Sequence, residues 1–360
     1  MEKKRIVVKI GSSSLTNSKG EIDQQKFEDH ISALATIKKA GHEVILVSSG
    51  AVAAGFRKLG YSSRPVTLKG KQAAAAVGQS VLIQAYSDCF AQYDINMAQI
   101  LLTRSDFNEK NRYKNAYATL SELLERSILP IINENDTVSV EELTFGDNDM
   151  LSALVSSLVH ADNLIILTDV NGLYTANPLK NPTAKRIDTI EHITDEMLGY
   201  ASGTGSKVGT GGMESKLAAA KHAMNAGVEV FIGTGVGADK LMNVLAQKGD
   251  GTYFVPKEKC IPMNKQWVAF TKVAGKLFID EGAVNALKFG GKSLLPAGVY
   301  AFEGQFNRGD VVEVYDRHTC IGRGEILYSF EELEKAIGKR TDEIEHTPIE
   351  VIHRNQWVQI

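Results

Sequence analysis

Residues 6–14 read Ile6-Val-Val-Lys-Ile-Gly-Ser-Ser-Ser14, and the rest of the chain repeats their logic. Ile6, Val7, Val8 and Ile10 make a short continuous apolar run, the pattern of a strand buried on both faces. Such strands belong to parallel sheets covered by helices. Lys9 interrupts the run just before Gly11. A lysine there is costly unless it reaches a partner at the sheet edge. A solvated strand end would explain Lys9 alone, but Gly11 and the three serines beside it favour a phosphate-binding lysine.

Outward from this stretch, apolar runs alternate with segments of helical period. Phe27, Ile31, Leu34 and Lys38 predict a helix that Gly41 stops. Strands follow at Val44–Val47, Ile95–Leu102, Ile128–Ile132, Leu164–Leu167 and Val228–Ile232. Helices are predicted from Ala51, over Tyr113–Arg126, over Met150–Val159 and over Met213–Asn225. This βαβα rhythm predicts an α/β fold, a three-layer sandwich around a mostly parallel central sheet. Ligands of such sheets sit beyond the carboxyl ends of the strands. Polar residues fall there repeatedly: Lys9 and Gly11, Ser48-Ser49-Gly50, Asn133-Glu-Asn-Asp136, and Thr168-Asp169. One polar strand end is ordinarily just a loop. Four of them describe a site.

The stretch Gly203-Thr-Gly-Ser-Lys-Val-Gly-Thr-Gly-Gly-Met-Glu-Ser-Lys216 places five glycines in ten residues and runs into the helix from Met213. Glycines let backbone approach a ligand closely, and a helix start offers unpaired N–H groups at a positive dipole end. Together they form a phosphate cradle, with Lys216 adding a full charge at a solvent-accessible ligand site. Gly146-Asp-Asn-Asp149 precedes another helix. One of its polar residues is accounted for as a cap. The second acid can hold the two lysines or take part in Mg2+ coordination. Gly291-Lys-Ser293 lacks the first glycine of a Walker loop, and Gly233-Thr-Gly-Val-Gly237 has the wrong spacing for a dinucleotide fingerprint.

The formal net charge of −3 over 360 residues argues against a dominant nucleic-acid or anionic-membrane surface. Cys89, Cys260 and Cys320 are far apart and odd in number, which suits free thiols in a reducing compartment and no structural metal. Few apolar residues follow Lys3-Lys4-Arg5 before Gly11, too few for a signal-peptide core or a membrane span, so a cytoplasmic protein is expected. Beyond about residue 255 the rhythm changes. Leu277–Ile279, Val299–Phe302 and Val311–Val314 are short β-like runs between Gly, Pro and Asp turns, predicting a small β-rich second domain.

The residues therefore describe an α/β enzyme of phosphoryl transfer without naming the acceptor. Six ordered stretches resemble the amino-acid kinase family: Val8-Lys-Ile-Gly-Ser12, Val47-Ser-Ser-Gly-Ala-Val52, Ile132-Asn-Glu-Asn-Asp-Thr137, Gly146-Asp-Asn-Asp149, Leu167-Thr-Asp-Val-Asn-Gly-Leu-Tyr174 and Gly209-Thr-Gly-Gly-Met213. Lys71-Gln-Ala-Ala-Ala-Ala-Val-Gly-Gln79 and Leu102-Thr-Arg-Ser-Asp106 are similar to the branch that phosphorylates glutamate at the start of proline synthesis. The resemblance covers essentially the whole chain. It implies a kinase domain over 1–255, a linker over 256–271 and a PUA domain, a small pseudo-barrel, over 272–354. It implies ATP as donor with Mg2+, L-glutamate as acceptor, proline as feedback inhibitor, and a homo-dimer or homo-tetramer. By position, Lys9 and Lys216 would contact the ATP phosphates and Asp149 would orient them. Gly11, Thr168, Asp169, Thr210, Gly211, Gly212, Met213, Glu214, Ser215 and Lys216 would line the nucleotide. Ser49, Asp136 and Asn148 would hold glutamate. Two other readings compete: a kinase of this fold acting on acetylglutamate, aspartate, carbamate or a nucleoside monophosphate, and a secondary RNA-binding role of the tail. The acidic Asn133–Asp136 loop suits an ammonium-bearing acceptor. The tail, with 11 Lys and Arg against 14 Asp and Glu over 272–354, makes RNA an unfavoured partner.

Overall fold

The computed structural model describes residues 2–359 other than 18, 20, 139–147, 177, 179–180, 182, 195–196, 198–211, 257–267, 269–270, 272, 340–342 and 344–348. The chain divides into two compact units, Met1–Asp106 with Lys114–Cys260, and Phe107–Tyr113 with Ile261–Ile360.

The first unit is built on the strands β1 (Arg5–Ile10), β2 (Glu43–Val47), β3 (Met97–Leu102), β4 (Leu129–Glu134), β5 (Asn163–Leu167), β6 (Thr189–Ile190), β7 (Glu229–Thr234) and β8 (Asp250–Phe254). They form one sheet in the order β3-β4-β2-β1-β5-β7-β8-β6. Every pairing is parallel except β7 with β8. The helices are α1 (Ser12–Leu15), α2 (Gln24–Lys39), α3 (Ala51–Gly55), α4 (Leu68–Ala91), α5 (Lys110–Glu125), α6 (Asp149–Leu158), α7 (Met213–Asn225) and α8 (Lys240–Leu245). The predicted strands and helices stand within a turn of their expected ends. The last two strands on one side of the sheet, β8 and the edge strand β6, are not legible in the sequence, because two residues and a Gly-containing run carry no clear period.

Helices cover both faces of the sheet. Ile6, Val8 and Ile10 pack with Phe27, Ile31 and Leu34 of α2 and with Leu82, Tyr86 and Phe90 of α4. Side chains alternate along a strand, so Lys9 points to the opposite face. There it meets Asp149, at the start of α6. The α3 and α4 helices cross at glycines: a Cβ on Gly78 would lie 1.7 Å from the Ala51 carbonyl oxygen, and one on Gly55 would lie 2.0 Å from that of Ala74. Backbone meets backbone here, and no larger residue fits. Gly50, just before α3, has φ +97, a left-handed turn that carries the chain from β2 into that helix.

The second unit is a five-stranded sheet of β9 (Val273–Ile279), β10 (Val299–Gly304), β11 (Val311–Asp316), β12 (Thr319–Ile326) and β13 (Ile352–Gln359), in the order β10-β9-β11-β12-β13. β11 runs parallel to β9 and the other neighbours are antiparallel. Leu277, Phe306, Val312, Val314, Tyr328 and Trp357 form its core. Two short helices, α9 (Glu281–Lys288) and α10 (Phe330–Ala336), complete it. Asp280 caps α9, and a Ser329/Glu332 capping box starts α10. In the sequence only the cores of β9 to β11 stand out, not these helices or the last two strands.

Candidate active site

The sheet order places the site. From β1 the chain moves to β2 on one side and later returns to β5 on the other. Their carboxyl ends therefore open a crevice at a topological switch point, where open α/β sheets bind ligands. Lys9 and Gly11 stand at the end of β1, Ser48 to Gly50 after β2, and Thr168 and Asp169 after β5.

Lys9, Asp149 and Lys216 come together although they lie on a strand and two different helices. Lys9 Nζ is 2.7 Å from Asp149 Oδ1, and Lys216 Nζ is 3.1 Å from Asp149 Oδ2. Ser215 Oγ lies 2.9 Å from the same Oδ2 and 2.9 Å from the Gly212 carbonyl oxygen, so its single proton serves one of them at a time. The Asp149 carboxyl sits at the start of α6, where the helix dipole favours negative charge. Burial pushes its pKa up, but the charges of Lys9 and Lys216 and hydrogen bonds from Lys9 and Ser215 hold it below the usual carboxylate range. The three ionised side chains sum to +1. A carboxylate that fixes two ammonium groups in place is a device for presenting positive charge to an anion.

One expectation is corrected here. Lys216 is buried, 6% exposed, rather than on an open surface, while Lys9 and Asp149 are fully enclosed. The cause is that Lys216 sits on the face of α7 that packs toward α6 and leans inward to Asp149. Gly11 lies beside this trio, and a Cβ there would be 3.4 Å from Lys9 Nζ. Gly212 immediately precedes α7, followed by Met213 and Glu214 in its first turn. Thr210 and Gly211 lie outside the described residues, as do Gly203, Gly205, Gly209, Gly146 and Asp147.

A second, neutral cluster adjoins Asp149. Asn148 Nδ2 donates to the Ser48 carbonyl oxygen at 2.5 Å and to Asn133 Oδ1 at 2.7 Å. Asn133 Nδ2 donates to Gln79 Oε1 at 2.7 Å. Ser48 Oγ and Tyr86 Oη share a buried hydrogen bond of 2.8 Å. Ser49 is 8% exposed, and its Oγ is buried with no hydrogen-bond partner among the described residues. Asn148 is therefore no side-chain cap of α6; its amide belongs to this cluster. Ser49 and Asn148 are brought to the same corner, at the Ser48–Ser49 strand end. Asp136 stands on the turn that follows β4, half-buried. Asn133 belongs to the polar stretch singled out in the sequence, whereas Gln79 closes the Lys71–Gln79 stretch, where it carries no assigned role, and Tyr86 sits further along the same Ala-rich helix with no sign of polar function. Their spacing of two turns on α4 was the available signal.

Thr168 and Asp169 bond to each other rather than to the lysines, Thr168 Oγ1 donating to Asp169 Oδ1 at 3.1 Å. Beside them the turn after β5 is tied down by β8. Thr252 Oγ1 accepts from Leu173 N at 2.8 Å, and Asp250 accepts from Asn171 at 3.3 Å, from Thr234 at 2.9 Å and from Arg186.

Residues 4–234 match the model of the amino acid kinase family. The chain belongs to this family. Residues 275–348 of this amino acid kinase match the PUA domain. It is 62% identical to glutamate 5-kinase 1 of Bacillus licheniformis and 60% identical to glutamate 5-kinase 1 of Bacillus subtilis, each over 100% of both chains. Among solved structures, carbamate kinase from Giardia lamblia bound to AMP-PNP superposes with a TM-score of 0.50 at 19% identity, covering 71% of this chain and 99% of that one, and supports the fold. Among the described residues no helix is long and apolar enough to cross a membrane.

Proposed function

We propose that the chain transfers the γ-phosphoryl group of ATP to the γ-carboxylate of L-glutamate, giving γ-glutamyl phosphate and ADP, as a first step toward proline. The observation that carries this reading is the buried Lys9–Asp149–Lys216 trio beside a neutral polar corner. The names of the full-length relatives support the choice of acceptor. An acceptor carboxylate oxygen attacks the γ-phosphorus in line, the bond to the β-phosphate oxygen breaks, and ADP leaves with that electron pair. The nucleophile is already ionised at neutral pH, so no general base is needed. Lys9 and Lys216 bind the transferring oxygens and neutralise charge that spreads over them in the transition state. Asp149 orients both lysines. Gly11, Gly212 and the start of α7, with Met213, Glu214 and Ser215, line the phosphates, and Thr168 and Asp169 flank the nucleotide. Ser49, Asp136 and Asn148 hold glutamate. Proline, which carries the same α-carboxylate and a cationic amine, competes for that corner as feedback inhibitor.

Magnesium fits as a companion of the nucleotide. Both Asp149 oxygens are engaged by lysines and Ser215, and no group of three or more metal-ligating side chains stands among the described residues. Bound there, the ion would shield phosphate charge. We place the kinase domain over 1–255, the linker over 256–271 and the PUA domain over 272–354. The test is ADP release with ATP and a panel of small acids, glutamate, acetylglutamate, aspartate and carbamate among them. Absence of glutamate-dependent ADP release refutes the proposal.

A further inference from the structure

We propose that Gln79 binds substrate directly, its side-chain amide donating to the α-carboxylate of the acceptor. The inference rests on glutamate being that acceptor. Its basis is the polarity of the amide chain beside Ser49, which backbone groups fix at two points. Glu134 N–H donates to Asn133 Oδ1 at 3.0 Å, so that amide cannot be reversed without facing donor to donor. The Ser48 carbonyl oxygen accepts from Asn148 Nδ2, so that amide cannot be reversed either. With both orientations set, Asn133 Nδ2 faces Gln79, and Gln79 must turn its Oε1 toward it. The Gln79 Nε2, a donor with two protons, then has no partner among the described residues.

The same logic leaves Asn148 Oδ1 as an acceptor, because both protons of its Nδ2 are used. The corner thus offers one amide oxygen, one amide NH2 and the partnerless Ser49 hydroxyl. An α-amino acid presents the complement, a donor ammonium and an acceptor carboxylate. Asn148 Oδ1 answers the ammonium; Gln79 Nε2 and Ser49 Oγ answer the carboxylate. The fold also positions Gln79. It directly follows Gly78, whose backbone packs closely against that of Ala51 and Gly55 in α3, and this crossing sets the approach of α4 to the corner.

A glutamine that served only to prop Asn133 would need its oxygen and not its NH2. Gln79→Glu separates the two roles, since it keeps an oxygen for Asn133 and replaces the donor with a negative charge. The measurement is steady-state kinetics of the full chain with glutamate and with isoglutamine, the α-amide of glutamate, used as substrate or as competitive inhibitor. The KM for glutamate should rise by about tenfold or more, the scale of a lost charge-assisted hydrogen bond, and the KM for ATP should stay within about twofold. The preference for glutamate over isoglutamine should fall by about tenfold. Gln79→Met removes the donor without adding charge and should lower that preference by a smaller factor. An unchanged preference in either variant, or equal losses toward ATP and glutamate, overturns the assignment. Wild-type protein inactive with glutamate would instead refute the proposed function, so the two failures are distinguishable.

Discussion

Lys216→Met removes one charge from the trio while keeping most of the buried volume. At an effective dielectric constant of about 20, the attraction of Lys216 to Asp149 is about 5 kcal/mol and that of Lys9 about 6 kcal/mol, taken at separations of 3.1 and 2.7 Å. These gross attractions are offset by several kcal/mol for removing each ammonium from water. Methionine abolishes the Lys216 attraction and its desolvation cost together, along with the repulsion between the lysines. Asp149 keeps Lys9 and Ser215. The net loss of folding stability is therefore about 0–2 kcal/mol, a fall in Tm of less than about 8 °C. The transition state loses a full positive charge in a dry site, which costs about 100- to 1,000-fold in kcat. Coupled measurement of ADP release at saturating substrates gives kcat, and a thermal melt gives Tm. A kcat within about threefold of wild type together with a lowered Tm would show that Lys216 is structural and refute the reasoning. Asp149→Asn is the contrasting case. It removes the carboxylate that both lysines share, so stability falls by about 3–5 kcal/mol along with activity.

Asp149 has a depressed pKa, so its contribution to stability is present above the ordinary value of 3.8 and is lost only as pH falls below that. A pH–rate profile should accordingly show no acid limb from Asp149 between about pH 5 and 8. His30 is the opposite type of group: burial, followed by the charge of Lys240, lowers its pKa from 6.5 to about 4, so the folded imidazole is neutral. The unfolded chain takes up that proton first, and stability should decline by up to about 3 kcal/mol between pH 6.5 and about 4. In His30→Gln, whose amide can still donate to the Ser14 carbonyl oxygen, Tm plotted against pH should be flatter over this window. Gly78→Ala drives a methyl group into the Ala51 carbonyl oxygen and should destabilise by about 3 kcal/mol or more, with a raised KM for glutamate, readable by thermal melt and kinetics.

The sheet was legible in the sequence because buried parallel strands are short apolar runs, and those ending in Lys9, Val47, Ile132 and Leu167 carried polar residues on the same edge. The lysine trio was legible only in part. Lys9 stood out as a charge in an apolar run, but its burial depends on Asp149 arriving from α6, more than a hundred residues later, and no local pattern records that distance. A helix start next to glycines looks open, so the sequence predicts an exposed Lys216. Only the packing of α7 against α6 closes it. The placement of Gln79 and Tyr86 was not legible for the same reason: what brings them to the polar corner is the glycine crossing of α3 and α4, and the contact partners, Gly55 and Gly78, are far apart in the chain.

The distribution of charge follows from the chemistry. Reactants of the proposed reaction are all anions, so the site must neutralise them without quenching the nucleophile. A lysine paired directly with the attacking carboxylate would hold its electron density and lower its reactivity. The site holds two buried ammonium groups on one shared carboxylate, and the proposed acceptor corner, apart from Asp136, offers neutral dipoles, those of Ser49, Gln79, Asn133 and Asn148. In the proposed reaction positive charge thus faces the phosphoryl oxygens of the transition state, while hydrogen bonds of fixed polarity orient the acceptor. Asn148 and Asp149, adjacent at the start of α6, join the two halves. One displacement of that helix start would misalign the nucleophile and the lysines together, so a substitution such as Ser152→Val, which buries a branched side chain against the first turn of α6 in place of the Ser152 Oγ to Asp149 carbonyl hydrogen bond of 2.6 Å, should lower kcat for glutamate more than it raises either KM. Steady-state kinetics showing a KM effect for one substrate alone would break the proposed link between the halves.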